Sequence, residues 1–239
     1  MDKTVVVMWT AALVGSALAL SPPTWRITRL LVTTFHEAGH AIFSLLTGSP
    51  VSGIRVRLDS SGETISQVER SARGKLSRVV ALLAGYPTPV ALGALALATP
   101  TLAHNPAWGW SIVAAASFLV LVLARSLFTF LVAGLLTVVA AVFSPFGPQL
   151  LRWLGLSSLD WLHNPQVSWP ALVALSALLL VGGTRDTLAL WRLVQRTAGG
   201  NDAAYLRATT GIPAQLWAGL FVVIAGGCLV TAVLALLGW

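Results

Sequence analysis

The sequence predicts an all-α integral membrane protein: a polytopic bundle of about six or seven transmembrane helices with a small β-hairpin at its inner face. Composition is the first observation, since 56% of the 239 residues are hydrophobic and 10% are charged, against roughly 25% charged in a soluble domain. The second is the recurrence of apolar runs near 5–20, 30–47, 77–99, 108–124, 126–143, 169–183 and 214–237. About 20 apolar residues of helix cross a hydrocarbon core, and helices satisfy their own backbone where lipid cannot. The third is one stretch where the apolar period shortens to two, after the second run.

The runs leave no room for a separate soluble unit, so residues 1–239 form a single membrane-embedded domain. Residues 1–20 read as a first transmembrane helix or as a signal segment, because Lys3 precedes the apolar run and Ala17-Leu18-Ala19 resembles a cleavage site. The net charge of +7 reports topology and not nucleic-acid binding, since basic residues concentrate in cytoplasmic loops. Arg55, Arg57, Arg70, Arg73 and Lys75 lie in 48–76, and Arg185, Arg192, Arg196 and Arg207 in 184–213. Placing both segments inside puts Arg125 inside, 100–107 and 144–168 outside, and the N-terminus inside. Trp25, Trp108, Trp110, Trp153, Trp161, Trp169 and Trp239 then fall at the outer interface, with Arg26 and Arg29 dissenting.

In the hairpin region Ile54, Val56 and Leu58 alternate with Arg55, Arg57 and Asp59, and Ser60-Ser61-Gly62 supply a turn before Thr64 and Ile65. Pro87 and Pro89 interrupt the third run, a break tolerated inside a membrane beside a cavity or protein neighbours. The prolines of 144–168 mark a loop, with His163 on its surface, as His104 is in the shorter outer loop. Leu188, Trp191 and Val194 suggest a helix along the inner membrane surface, ended by Gly199-Gly200. Asn201 or Asp202 then caps a short helix.

Chemistry concentrates in His36-Glu37-Ala38-Gly39-His40, which matches H-E-x-x-H. One helical turn puts both imidazoles on one face, able to bind a single zinc ion, with Glu37 beside its water as general base. Leu30-Leu31-Val32 and Ala41-Ile42-Phe43 flank the motif, and a charge at the bilayer centre costs about 2.5–3.5 kcal/mol, so these groups need a partner there. A third ligand must come from elsewhere. Asp160 falls outside, Asp2 is terminal, and Asp59, Glu63 and Glu69 belong to the hairpin region, which leaves Asp186 and Asp202. Asp186 can pair with Arg185 or Arg192, and Asp202 can act as a cap.

Phe35-His36-Glu37-Ala38-Gly39-His40-Ala41, the hairpin, Ala84-Gly85-Tyr86-Pro87, and the stretch from Asn201-Asp202-Ala203-Ala204 to Thr210-Gly211-Ile212-Pro213 resemble the site-2 protease family of zinc intramembrane metalloproteases, in its small bacterial branch. The resemblance implies a zinc endopeptidase of a bacterial cell membrane, acting on membrane-protein substrates near the inner face. It makes Asp202 the third ligand beside His36 and His40, and lets Ile54, Val56 and Leu58 bind an extended substrate by strand addition. Two departures stand out. The family's leucine-aspartate-glycine tripeptide is absent, and Pro89 stands about where many members carry an asparagine. A catalytically silent protein that binds and regulates transmembrane partners is the alternative, and a metal transporter using the histidines is a third reading.

Overall fold

A computed structural model describes residues 3–67, 71–103, 105, 107–196 and 200–237. Asp2, Glu69, Arg70, His104, Gly199 and Trp239, named above, lie outside the described residues. The helices are α1 (Lys3–Leu20), α2 (Pro22–Leu46), α3 (Ala72–Ala84), α4 (Pro87–Ala103), α5 (Ala107–Val122), α6 (Leu127–Phe143), α7 (Gly147–Trp153), α8 (Pro165–Val194), α9 (Asp202–Thr210) and α10 (Ala214–Leu237). Strands β1 (Val51–Val56) and β2 (Gly62–Ser66) form the hairpin between α2 and α3. Each of the seven apolar runs falls largely in helix, the third being broken at Gly85 and Tyr86 between α3 and α4.

Three of these helices, α1, α8 and α10, are long and apolar enough to cross a membrane. Two bent pairs, Ala72–Ala84 with Pro87–Thr99 at 59° and Leu127–Phe143 with Gly147–Trp153 at 107°, raise the number to five. The first bend falls where Pro87 and Pro89 predict it. In α5, 16 residues are short of a full crossing, and in α2 the two arginines and the H-E-x-x-H motif dilute the apolar face.

Local chemistry sets the ends. Pro22 and Pro23 open α2 at positions whose N–H groups need no helical partner. Ser71, Ser126 and Asn201 cap α3, α6 and α9 by accepting from Gly74, Thr129 and Ala204 N–H groups. α9 stops at Gly211, whose φ of +82° favours glycine.

Around α8 the bundle closes. α4 runs antiparallel to it, with Gly93 against Ser176 and Val90 against Gly183. α1 runs parallel to it: a Cβ on Gly15 would stand 2.0 Å from the Ala174 carbonyl oxygen, and the Arg185 guanidinium donates to the carbonyls of Ala19 and Leu20. This corrects the expected topology. The end of α1 and the start of α2 lie at the basic end of the bundle, where Arg29 pairs with Asp186 and Arg185 lies 4.4 Å over Trp25. Arg26 and Arg29 therefore join the other basic residues, and the start of α1 lies at the opposite end. Residues 184–194 continue α8 and form no separate surface helix, because Gly182 and Gly183 admit Val32, Trp25 and Val90 at close range without breaking the helix. Residues 144–164 are also not plain loop, since α7 and a 3-10 helix, Ser157–His163, fold there. His163 is half-buried with its Nε2 on the Val142 carbonyl, and not a surface residue.

Candidate metal centre and its cavity

His36 and His40 lie on one face of α2 with ring centroids 4.6 Å apart and Nε2 atoms 3.0 Å apart. Asp202, the first residue of α9, brings Oδ2 to 3.2 Å from Nε2 of His36 and 3.3 Å from Nε2 of His40. Asn201 performs the capping, so Asp202 is available to face the histidines. Asp186 lines the same cavity but turns to Arg29, with Oδ1 3.3 Å from its Nε. Of the two acids the sequence leaves, the fold brings Asp202 to the motif.

Protons test whether this cluster suits a metal. His40 Nδ1 lies 2.8 Å from the Ala81 carbonyl oxygen, which can only accept, so Nδ1 carries the hydrogen. In the neutral ring Nε2 is then a lone pair, directed at the second imidazole and at the carboxylate. Asp202 Oδ2 is buried and has no hydrogen-bond partner among the described residues. Three candidate ligand atoms lie within 4.8 Å of one another, a set that a cation would satisfy, and the Ala81 bond is the kind of contact that orients a ligand histidine. Burial alone would raise the Asp202 carboxyl, yet the charges and hydrogen bonds of His40 and His36 together outweigh it and hold the group well below the usual carboxylate range.

Backbone makes the room. A Cβ on Gly85 would stand 2.5 Å from His40 Cε1 and 2.8 Å from Asp202 Oδ2. The α3–α4 break thus brings bare main chain against the cluster. Tyr86, next in sequence, sets its ring edge-on to His36 at 4.7 Å and stacks on Phe221 at 5.5 Å.

Glu37 is buried, 4% exposed. It faces the hairpin, where the Thr64 hydroxyl donates to its Oε2 at 2.6 Å and lies 3.2 Å from its carbonyl oxygen. Gly62 leaves the space that its carboxylate fills. A cavity of about 970 Å³ opens on His36, Glu37, His40, Asp202, Tyr86 and the whole of β2.

The hairpin residues expected to bind substrate sit differently. Ile54 and Val56 are buried, and their main chain is occupied. Ile54 N–H donates to Leu123 and its carbonyl accepts from Arg125, while both polar groups of Val56 meet the Thr129 hydroxyl. Leu58 lies beyond β1 in the turn and is 79% exposed. β1 therefore has no open edge. Because Ile54 pairs with Thr64 and Val56 with Gly62, and Ile54 and Val56 point their polar groups away from β2, Thr64 and Gly62 point theirs away from β1. The open edge is the outer edge of β2, along the cavity.

Sequence reasoning alone singles out the histidines and Glu37, which the fold gathers in one cavity, and does not single out Thr64 and Arg29, which line it and carry no motif.

Compared with known proteins, the chain matches the Peptidase M50B-like family over residues 9–232. Neither a curated protein nor a solved structure matches it.

Proposed function

Because the chain belongs to the Peptidase M50B-like family, a family of membrane proteases to which the site-2 resemblance already points, we propose that it is a zinc-dependent intramembrane endopeptidase of membrane-protein substrates. The observation that carries this reading is the convergence of three lone-pair donors beside a buried glutamate. His36, His40 and Asp202 would hold one zinc ion. A bound zinc ion supplies the Lewis acidity that makes water a nucleophile near neutral pH and polarises a peptide carbonyl.

The remaining work falls to the chain. Glu37, hydrogen-bonded by Thr64, accepts the proton of the attacking water at its carboxylate and returns it to the leaving nitrogen. Peptide bonds in a helix are shielded by their own hydrogen bonding, so the substrate segment must unwind. Once extended, it can add to the outer edge of β2, where Gly62 and Thr64 offer unpaired main-chain groups along the cavity wall. This reading replaces Ile54, Val56 and Leu58 as the docking strand. Arg29, which lines the cavity, and Arg185 at the same basic end of the bundle support cleavage near the inner face, and a bacterial cell membrane is the setting the resemblance implies.

Zinc content per purified chain, with cleavage of fluorescently labelled casein in detergent, tests the proposal. Wild type should hold one zinc, Glu37→Gln should keep it and lose cleavage, and His36→Ala, His40→Ala and Asp202→Ala should lose it. A folded wild type that takes up no zinc would leave a partner-binding membrane protein without catalysis, and a Glu37→Gln protein that still cleaves would refute the role of Glu37.

A further inference from the structure

Peptide hydrolysis builds negative charge on the carbonyl oxygen, and a hydrogen-bond donor aimed at the developing oxyanion lowers the barrier. Two residues past the bend, Pro89 is buried and its ring meets α8 at Gly183. Proline has no side-chain donor to offer.

Several other polar side chains beside the cluster already have partners. Thr64 donates to Glu37, Arg29 turns its Nε to Asp186, and Asn201 is bound into the α9 cap. Tyr86 differs. It stands in the bend between α3 and α4, its ring edge-on to His36 and stacked on Phe221, and it lines the cavity that holds both histidines, Glu37 and Asp202. Among the described residues no hydrogen-bond partner is present for its hydroxyl. A phenol packed on two rings and facing a polar cavity without a partner is a fixed donor in want of an acceptor.

We propose that Tyr86 is a catalytic residue of this site: its hydroxyl donates a hydrogen bond to the peptide carbonyl oxygen as that carbon becomes tetrahedral. No bond to the phenol forms or breaks, and its proton stays on oxygen. The role rests on the endopeptidase reading above.

The test is Tyr86→Phe, which keeps both ring contacts and removes one oxygen, with Tyr205→Phe for comparison, since Tyr205 is the other tyrosine of the chain and lines the same cavity with its side chain exposed and not stacked on His36. Zinc content, casein cleavage and the Kd of a peptidyl phosphonamidate, a stable tetrahedral anion, are measured on each. Tyr86→Phe should hold as much zinc as wild type, with KM little changed and kcat lower by about 10²–10³-fold. Phosphonamidate binding should weaken by about 10- to 100-fold, as for a lost hydrogen bond to a charged group, and Tyr205→Phe should match wild type. An unchanged kcat, an unchanged phosphonamidate Kd, or loss of zinc from Tyr86→Phe overturns the role. Wild type that leaves casein intact overturns the endopeptidase reading instead, and the phosphonamidate Kd then judges Tyr86 alone.

Discussion

Gly85 lies so close to His40 that a Cβ built on it would stand 2.6 Å from the imidazole Nε2. The main chain of the α3–α4 bend is therefore one wall of the proposed metal centre, and glycine is required there by space, since its φ is not in the left-handed region.

Gly85→Ala should fold and lose its zinc. The atoms it meets are the ends of the His40 and Asp202 side chains, which can swing aside without moving a helix, but not while meeting at one ion. Elemental analysis of the purified variant checks this, with Gly226→Ala, where nothing lies within 4 Å of the new methyl, as the matched control. Full zinc occupancy in Gly85→Ala would refute the assignment.

Thr64→Val should keep zinc and lose rate. Valine preserves the shape of threonine and removes the hydroxyl that donates to Glu37 at 2.6 Å, freeing the carboxylate to turn. With a hydrogen bond to a charged group worth about 1.5–3 kcal/mol, kcat for casein should fall by about tenfold or more, with little change in KM.

Thr64→Pro separates the open strand edge from the hydroxyl. Both substitutions remove the hydroxyl, but proline also deletes the N–H that faces away from β1, a loss a sheet edge tolerates without breaking its internal ladder. Relative to Thr64→Val, KM should rise by about three- to tenfold, the equivalent of one main-chain hydrogen bond. Equal KM values in the two variants would remove β2 as the docking edge.

Gly15→Val should destabilise the bundle without touching the site. Its Cβ would enter the Ala174 carbonyl at 2.0 Å, backbone against backbone, so α1 must shift along α8. Overpacking of this kind costs about 1–3 kcal/mol, read as a lower thermal midpoint in detergent. An unchanged midpoint would mean that α1 does not pack on α8 as described.

Much of this molecule was readable in its sequence, unevenly. The apolar runs mark the helices because hydrophobicity is a local property, and H-E-x-x-H announces itself because both histidines share one helical turn. Asp202 could be narrowed by elimination only to a pair with Asp186, since choosing between them depends on which acid α9 carries to α2, a long-range matter. The hairpin was visible in its alternation, but not which edge stays open: that is decided by Leu123, Arg125 and Thr129, far along the chain. Strict alternation of loops failed at α1, where the parallel packing of Gly15 on Ala174 brings Arg29 to the basic end, the side its charge favours.

Two of the three donor side chains are carved into α2, deep in the bundle, while the third rides on α9, a nine-residue helix outside the candidate spans. Its grip comes from Ala203 and Leu206, packed with Leu190, Val194 and Phe221. The site is thus divided between a fixed half and a docked half. Anything that loosens α9, a partner pressing on it or a lipid wedged beneath it, would dismantle the triad while leaving the rest of the protein upright, so the enzyme could be silenced without being unfolded.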